Sequence, residues 1–139
     1  MGRHEQREQV FKLLFQVEFH EGEDMPRQMR LFLEGNEEIP SQKDSDYIEA
    51  RCSAIRERIP ELDKLINENT EKWDTTRMGK VELAVLRLGV YEMLFDKDIP
   101  VNVAINEAVE LAKQYGQDNS GGFVNAILAK FLKLGDENS

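Results

Sequence analysis

The sequence predicts an all-α protein of about seven helices, and three observations carry that expectation. Apolar residues recur at helical, 3.6-residue spacing in one segment after another. No stretch alternates apolar and polar residues as a half-buried strand would. Only 4 prolines and 9 glycines occur in 139 residues, so little interrupts a long helix. With 40% hydrophobic and 32% charged residues the balance is that of a globular chain. The length suits one domain over residues 1–139, with residues 135–139 expected as a flexible acidic tail.

The first helix is expected over about residues 3–19, where Val10, Leu14 and Val17 form a stripe beside Phe11, Leu13 and Phe15. Gly22 and its acidic neighbours should end it. A short second helix starts at Pro26, a residue suited to a first turn, and carries Met29, Phe32 and Leu33 inward. Residues 35–45 read as a polar loop containing Pro40. A third helix over about 46–59 has Tyr47, Ile48, Cys52, Ile55 and Ile59 on its apolar side, and Pro60 breaks it. The fourth, with Leu62, Leu65 and Ile66, runs on towards Trp73. The fifth, over about 76–95, is apolar on nearly all sides, so other helices must surround it. The sixth carries Ala104, Ala108, Leu111 and Tyr115 on one face and ends at Gly116, where a left-handed cap is expected. Ser120 can cap the seventh, which buries Val124, Ile127, Leu128 and Phe131.

Composition excludes several functions. The lone Cys52 cannot form an internal disulfide, which suits a reducing cytosol, and its place on an apolar face points to packing. Two histidines and one cysteine cannot build a closed zinc site, and Gly121-Gly122 is too short for a phosphate loop. The amino-terminal segment is too polar for a signal peptide, and Glu82, Arg87 and Glu92 interrupt the most apolar stretch, so no membrane span is expected. No cofactor, metal or active site emerges, and the chain is expected to work by binding in the cytoplasm. The net charge of −9 argues against nucleic acid at long range. It is uneven, however. Residues 21–46 carry eight acidic against three basic side chains, whereas residues 1–20 balance. Screening limits distant charges to about 8–10 Å of reach, so a local basic site is compatible with an acidic protein.

One run is highly specific: Pro100-Val101-Asn102-Val103-Ala104-Ile105-Asn106-Glu107-Ala108-Val109-Glu110-Leu111-Ala112-Lys113. Tyr115-Gly116 and then Ser120-Gly121-Gly122-Phe123-Val124-Asn125-Ala126-Ile127-Leu128 follow it, and Val85-Leu86-Arg87-Leu88-Gly89-Val90-Tyr91-Glu92 precedes it. Together these elements resemble the NusB family of transcription antitermination factors over nearly the whole chain. The resemblance implies two packed helical bundles in one compact domain and no enzymatic activity. It implies binding to a boxA-type single-stranded RNA of ribosomal RNA transcripts together with a small-subunit ribosomal protein, NusE. The assembly would help RNA polymerase read through terminators.

The residues that would serve this role each have a structural alternative. Phe123 follows two glycines at a helix start, where a ring can stack on a base; otherwise it staples the helix to the core. Asn119 and Ser120 can donate to phosphate or cap the helix, and Lys113 and Gln114 end the preceding helix nearby. Arg3, His4 and Arg7 correspond to the family's arginine-rich amino terminus, which is thinner in arginine here. The family places the positions of Glu82 and Arg87 near RNA; an internal polar pair is the alternative. Phe15 corresponds to an aromatic that meets the ribosomal protein, or belongs to the core. The competing function is a purely protein-binding helical adaptor whose acidic surface recruits a basic ribosomal protein.

Overall fold

The computed structural model describes residues 1–17, 19 and 24–132, and among them seven α-helices and no strand occur. They fall into two units, Met1–Glu57 and Arg58–Ser139. The expected end of the first helix at Gly22 and the acidic tail at 135–139 lie outside the described residues.

The first unit holds α1 (Arg3–Val17), α2 (Met25–Leu33) and α3 (Gln42–Glu57). Helix α1 lies along α3, and α2 packs on both. Val10, Phe11, Leu13 and Leu14 of α1 meet Met25 and Met29 of α2 and Ile48, Cys52 and Ile55 of α3 in a closed core. Each such side chain contributes roughly 1.5–3 kcal/mol on burial. Burial also pushes the Cys52 thiol up to about 12, so it is a packing group with no thiolate at neutral pH. Asp24 caps α2 through its carboxylate, which accepts from the Arg27 amide at 3.2 Å, and Pro26 stands in the first turn. Phe32 and Leu33 are half-buried rather than enclosed, and Tyr47 is exposed. The positive φ expected at Gly116 occurs instead at Gly35 (φ 69°), just past the end of α2.

Helix α3 starts four residues earlier than its hydrophobic pattern indicates. The reason is local: Ser41 Oγ accepts from the Asp44 amide at 3.1 Å and donates to the Asp44 carboxylate at 2.7 Å. That carboxylate also accepts from Gln6 Nε2 of α1 at 2.8 Å. Buried Gln9 is satisfied by Glu38 (2.6 Å) and Asn36 (3.3 Å), which fasten the α2–α3 loop to α1.

The second unit holds α4 (Ile59–Glu68), α5 (Lys80–Phe95), α6 (Val101–Tyr115) and α7 (Ser120–Ala129). Pro60 opens α4 rather than merely ending α3, because a proline ring suits the first turn. Helix α5 is the hub. Leu83 to Val90 are buried without a break, and α4, α6 and α7 all pack on it. A side chain at Gly89 would press on Ala108 of α6 and Leu128 of α7, which is how the three helices come this close. Helix α4 stops at Glu68, and residues 70–79 are turns rather than parts of α4 or α5. Val124, Ile127 and Leu128 of α7, with Phe131 in the turn after it, close the core.

Candidate nucleic-acid interface

In the second unit, the end of α6, the start of α7, the first turn of α5 and the 70–76 turn meet around a short chain of contacts. Gly116 ends α6 with extended backbone (φ −98°, ψ −158°), so the expected left-handed cap does not form. Glycine is required there for space: a Cβ would lie 2.5 Å from Ser120 Oγ and 2.7 Å from the Ala112 carbonyl. The tight turn lets Ser120 Oγ accept from the Gln117 amide at 2.9 Å and donate to Glu82 Oε1 at 2.6 Å. Ser120 is therefore buried as an internal tie between α7 and α5 and does not cap α7 as expected. Asn119 occupies the cap position, exposed, with no capping bond from its side chain.

Lys113 and Gln114 are exposed in the last turn of α6. The aliphatic stem of Lys113 runs across Gly121, and its ammonium group sits 3.8 Å from Glu110 in a solvent-screened pair. Gly121 is buried and Gly122 exposed, with open space where a Cβ would be. These two glycines lie inside the first turn of α7, not in a loop. They leave bare backbone at a helix amino terminus, which suits a phosphate. Phe123 comes next, half-buried, with its ring edge-to-face on Trp73 (centroids 6.1 Å apart, 89° between planes). Phe123 thus packs on an exposed indole rather than being enclosed in the core.

Besides Ser120, two more expected RNA contacts turn inward. Arg87 is only 7% exposed and clasps Asp63 of α4 through Nε (2.8 Å) and a terminal nitrogen (2.7 Å). The internal pair is what the geometry shows, because a guanidinium enclosed between α4 and α5 is stable only with a carboxylate to match its fork. Arg7 is likewise buried within α1's packed face, also 7% exposed, rather than presented to solvent. Arg3 and His4 are exposed in the first turn of α1. Phe15 is half-buried in a ladder with Phe11 (6.2 Å) and Phe19 (5.0 Å), and Phe19 is exposed. So Phe15 links the core of the first unit to an aromatic surface.

Sequence reasoning missed Trp73. Its signal was present: the only tryptophan, in a polar stretch without helical periodicity. Among the described residues no group of His, Cys, Asp and Glu can hold a metal ion, and no helix is long and apolar enough to cross a membrane.

Residues 4–133 match the NusB family. A transcription antitermination protein NusB of Agathobacter rectalis is 53% identical over 133 residues, covering 94% of this chain and 99% of that protein. Among solved structures, T. maritima NusB superposes with a TM-score of 0.85 at 41% identity, covering 96% of this chain and 92% of its own. A structure of antitermination factors NusB and NusE in complex with double-stranded RNA gives 0.82 at 26% identity, covering 95% and 96%.

Proposed function

The chain belongs to the NusB family, and from that premise we propose that it is a transcription antitermination factor that binds boxA-type RNA of ribosomal RNA transcripts together with NusE. The complex helps RNA polymerase read through terminators. The protein acts by binding alone, without a catalytic step or cofactor, in the cytoplasm, and its two units serve as one RNA-binding domain. The observation that carries the RNA role is the start of α7, where exposed Gly122 backbone, the open side of Phe123 and exposed Asn119 stand beside Lys113. Such a surface offers a ring for stacking and polar donors for phosphate. We assign RNA contact to Lys113, Gln114, Asn119 and Phe123, with Arg3 and His4 as exposed cations of the first unit. Glu82 and Ser120 hold this surface in shape through their mutual bond. Phe15, through its ladder to Phe19, is assigned to the NusE-facing surface.

The experiment is a titration of labelled boxA-type single-stranded RNA, and of the same sequence as a duplex, with and without saturating NusE. Linkage makes the effect mutual, and NusE should tighten RNA binding by roughly 5- to 150-fold. Phe123→Ala should weaken the ternary complex about tenfold, because base–aromatic stacking is worth about 1–3 kcal/mol, while the melting temperature stays put. If NusE binds and no RNA does, the chain is a protein-binding adaptor and the RNA reading is wrong.

A further inference from the structure

Beside Phe123 lies a cleft of about 290 Å³ lined by Thr70, Glu71, Lys72, Trp73, Phe123, Ala126, Ile127 and Lys130. Its back wall is the edge-to-face pair of Trp73 and Phe123. Half of the Trp73 surface is open to solvent, although an indole this exposed carries a large unrecovered hydration cost. It is nevertheless held in place. The Thr70 hydroxyl donates to the Trp73 carbonyl, Asp74 accepts from the amide and hydroxyl of Thr76, and Asn67 Oδ1 accepts from the Thr75 amide at 2.9 Å. The hydroxyl of Thr76 keeps the Asp74 carboxyl below its usual range. An exposed aromatic fixed by its own turn is a stacking platform already in position.

Charge indicates what would stack there. In a protein of net charge −9, this cleft has two lysines against one glutamate. Neither Lys72 nor Lys130 is paired with a carboxylate among the described residues. The volume sits at the lower edge of ligand-sized clefts, room for one nucleotide rather than for a helix of a partner. The cleft also continues from the proposed RNA surface through the shared ring of Phe123.

We propose that this cleft is a nucleotide-binding subsite for single-stranded RNA, with one unstacked base against Trp73 and Lys72 and Lys130 on the flanking phosphates. It rests on the RNA reading above and extends it by three residues. A single strand is specified because a base held in a duplex has no free face for the indole.

Trp73 is the only tryptophan, so its own fluorescence reports occupancy in the unaltered protein. Labelled boxA-type single-stranded RNA is titrated into the full-length protein with saturating NusE, while RNA anisotropy and tryptophan emission, corrected for NusE, are read together. The expected result is quenching of Trp73 with the same midpoint as the anisotropy change. Trp73→Ala should then lose roughly tenfold in affinity and Trp73→Phe much less, because a smaller ring still stacks. Lys72→Gln with Lys130→Gln should flatten the slope of log affinity against log salt by about 1.4, or 0.7 per phosphate. RNA binding with unchanged emission, and with wild-type affinity in Lys72→Gln/Lys130→Gln, overturns the subsite and leaves the RNA reading intact. Absence of any anisotropy change removes the RNA reading itself. Quenching by NusE alone, measured with a tryptophan-free NusE, makes the cleft a protein-docking site and also overturns the proposal.

Discussion

The guanidinium of Arg87 reaches both oxygens of Asp63 at 2.7–2.8 Å, and its side chain has almost no contact with solvent. Asp63 keeps about a fifth of its surface exposed, so water can partly rescue it if the partner is lost. Removing one member of a fully buried pair costs about 3–5 kcal/mol. With that partial hydration, Arg87→Met should destabilise the protein by about 2 kcal/mol in urea unfolding. RNA affinity of the folded variant should stay within about threefold of the parent. A tenfold loss of RNA affinity at unchanged stability would return Arg87 to the RNA surface. Type and spacing could place Arg87 on α5, but not say which way it faced. A basic residue in an apolar helix is the same letter whether it points at a phosphate or at an aspartate on α4.

At the scale of elements, α3 shows how a short polar signal outranks hydrophobic periodicity. The stretch Ser41, Gln42, Lys43, Asp44 has no apolar residue to announce a helix, yet the Ser41–Asp44 exchange of bonds starts one there. Ser41→Ala should cost about 1 kcal/mol, the usual value of such a cap, and speed amide exchange in the first turn of α3. The hydroxyl of Ser41 first, and the amide of Gln6 second, hold the Asp44 carboxyl below its ordinary range. The sign follows from linkage. A lowered carboxyl contributes stability that is present above the ordinary value of 3.8 and is lost as pH falls through the folded-state value. Unfolding midpoints should therefore drop on acidification below that value, and by less in Ser41→Ala than in the parent. An identical acid response in both would mean that Ser41 is not what holds the carboxyl. The other boundary differences share this character. Helix α5 starts at Lys80 rather than near residue 76 because Asp74 and Thr76 tie residues 74–76 into a turn of their own.

For the whole molecule, the charge balance sets how RNA is met. With Arg7 and Arg87 turned inward, the exposed cations that the proposals above assign to phosphate are few: Arg3, Lys72, Lys113 and Lys130. Two to four neutralised phosphates on a single strand give a slope of log affinity against log salt of about −1.4 to −2.8. The isolated protein should show that shallow slope, checked by anisotropy over a series of potassium chloride concentrations, and the ternary complex with NusE a steeper one. A slope beyond about −5 for the protein alone would mean that exposed cations other than these four, such as Arg77 and Lys80, also meet the phosphates. A net charge of −9 would also attract a partner of opposite charge, which speeds encounter more than it tightens the complex.

By itself the sequence determined the helix count, the core positions of nearly every helix, and the family, through the run from Val85 to Leu128. Those are readable because helical periodicity and a motif of fixed spacing are local properties of the chain. Phe123, Lys113 and Asn119 were legible as candidates for the same reason: each sits at a helix end that the sequence marks. Tertiary structure alone decided that Ser120 bonds Glu82 across 38 positions, that Arg87 clasps Asp63, and that Trp73 backs Phe123. Each of these depends on which faces of separate helices or turns meet. That is settled by side-chain volume at crossings such as Gly89 against Ala108 and Leu128, not by any pattern within one segment.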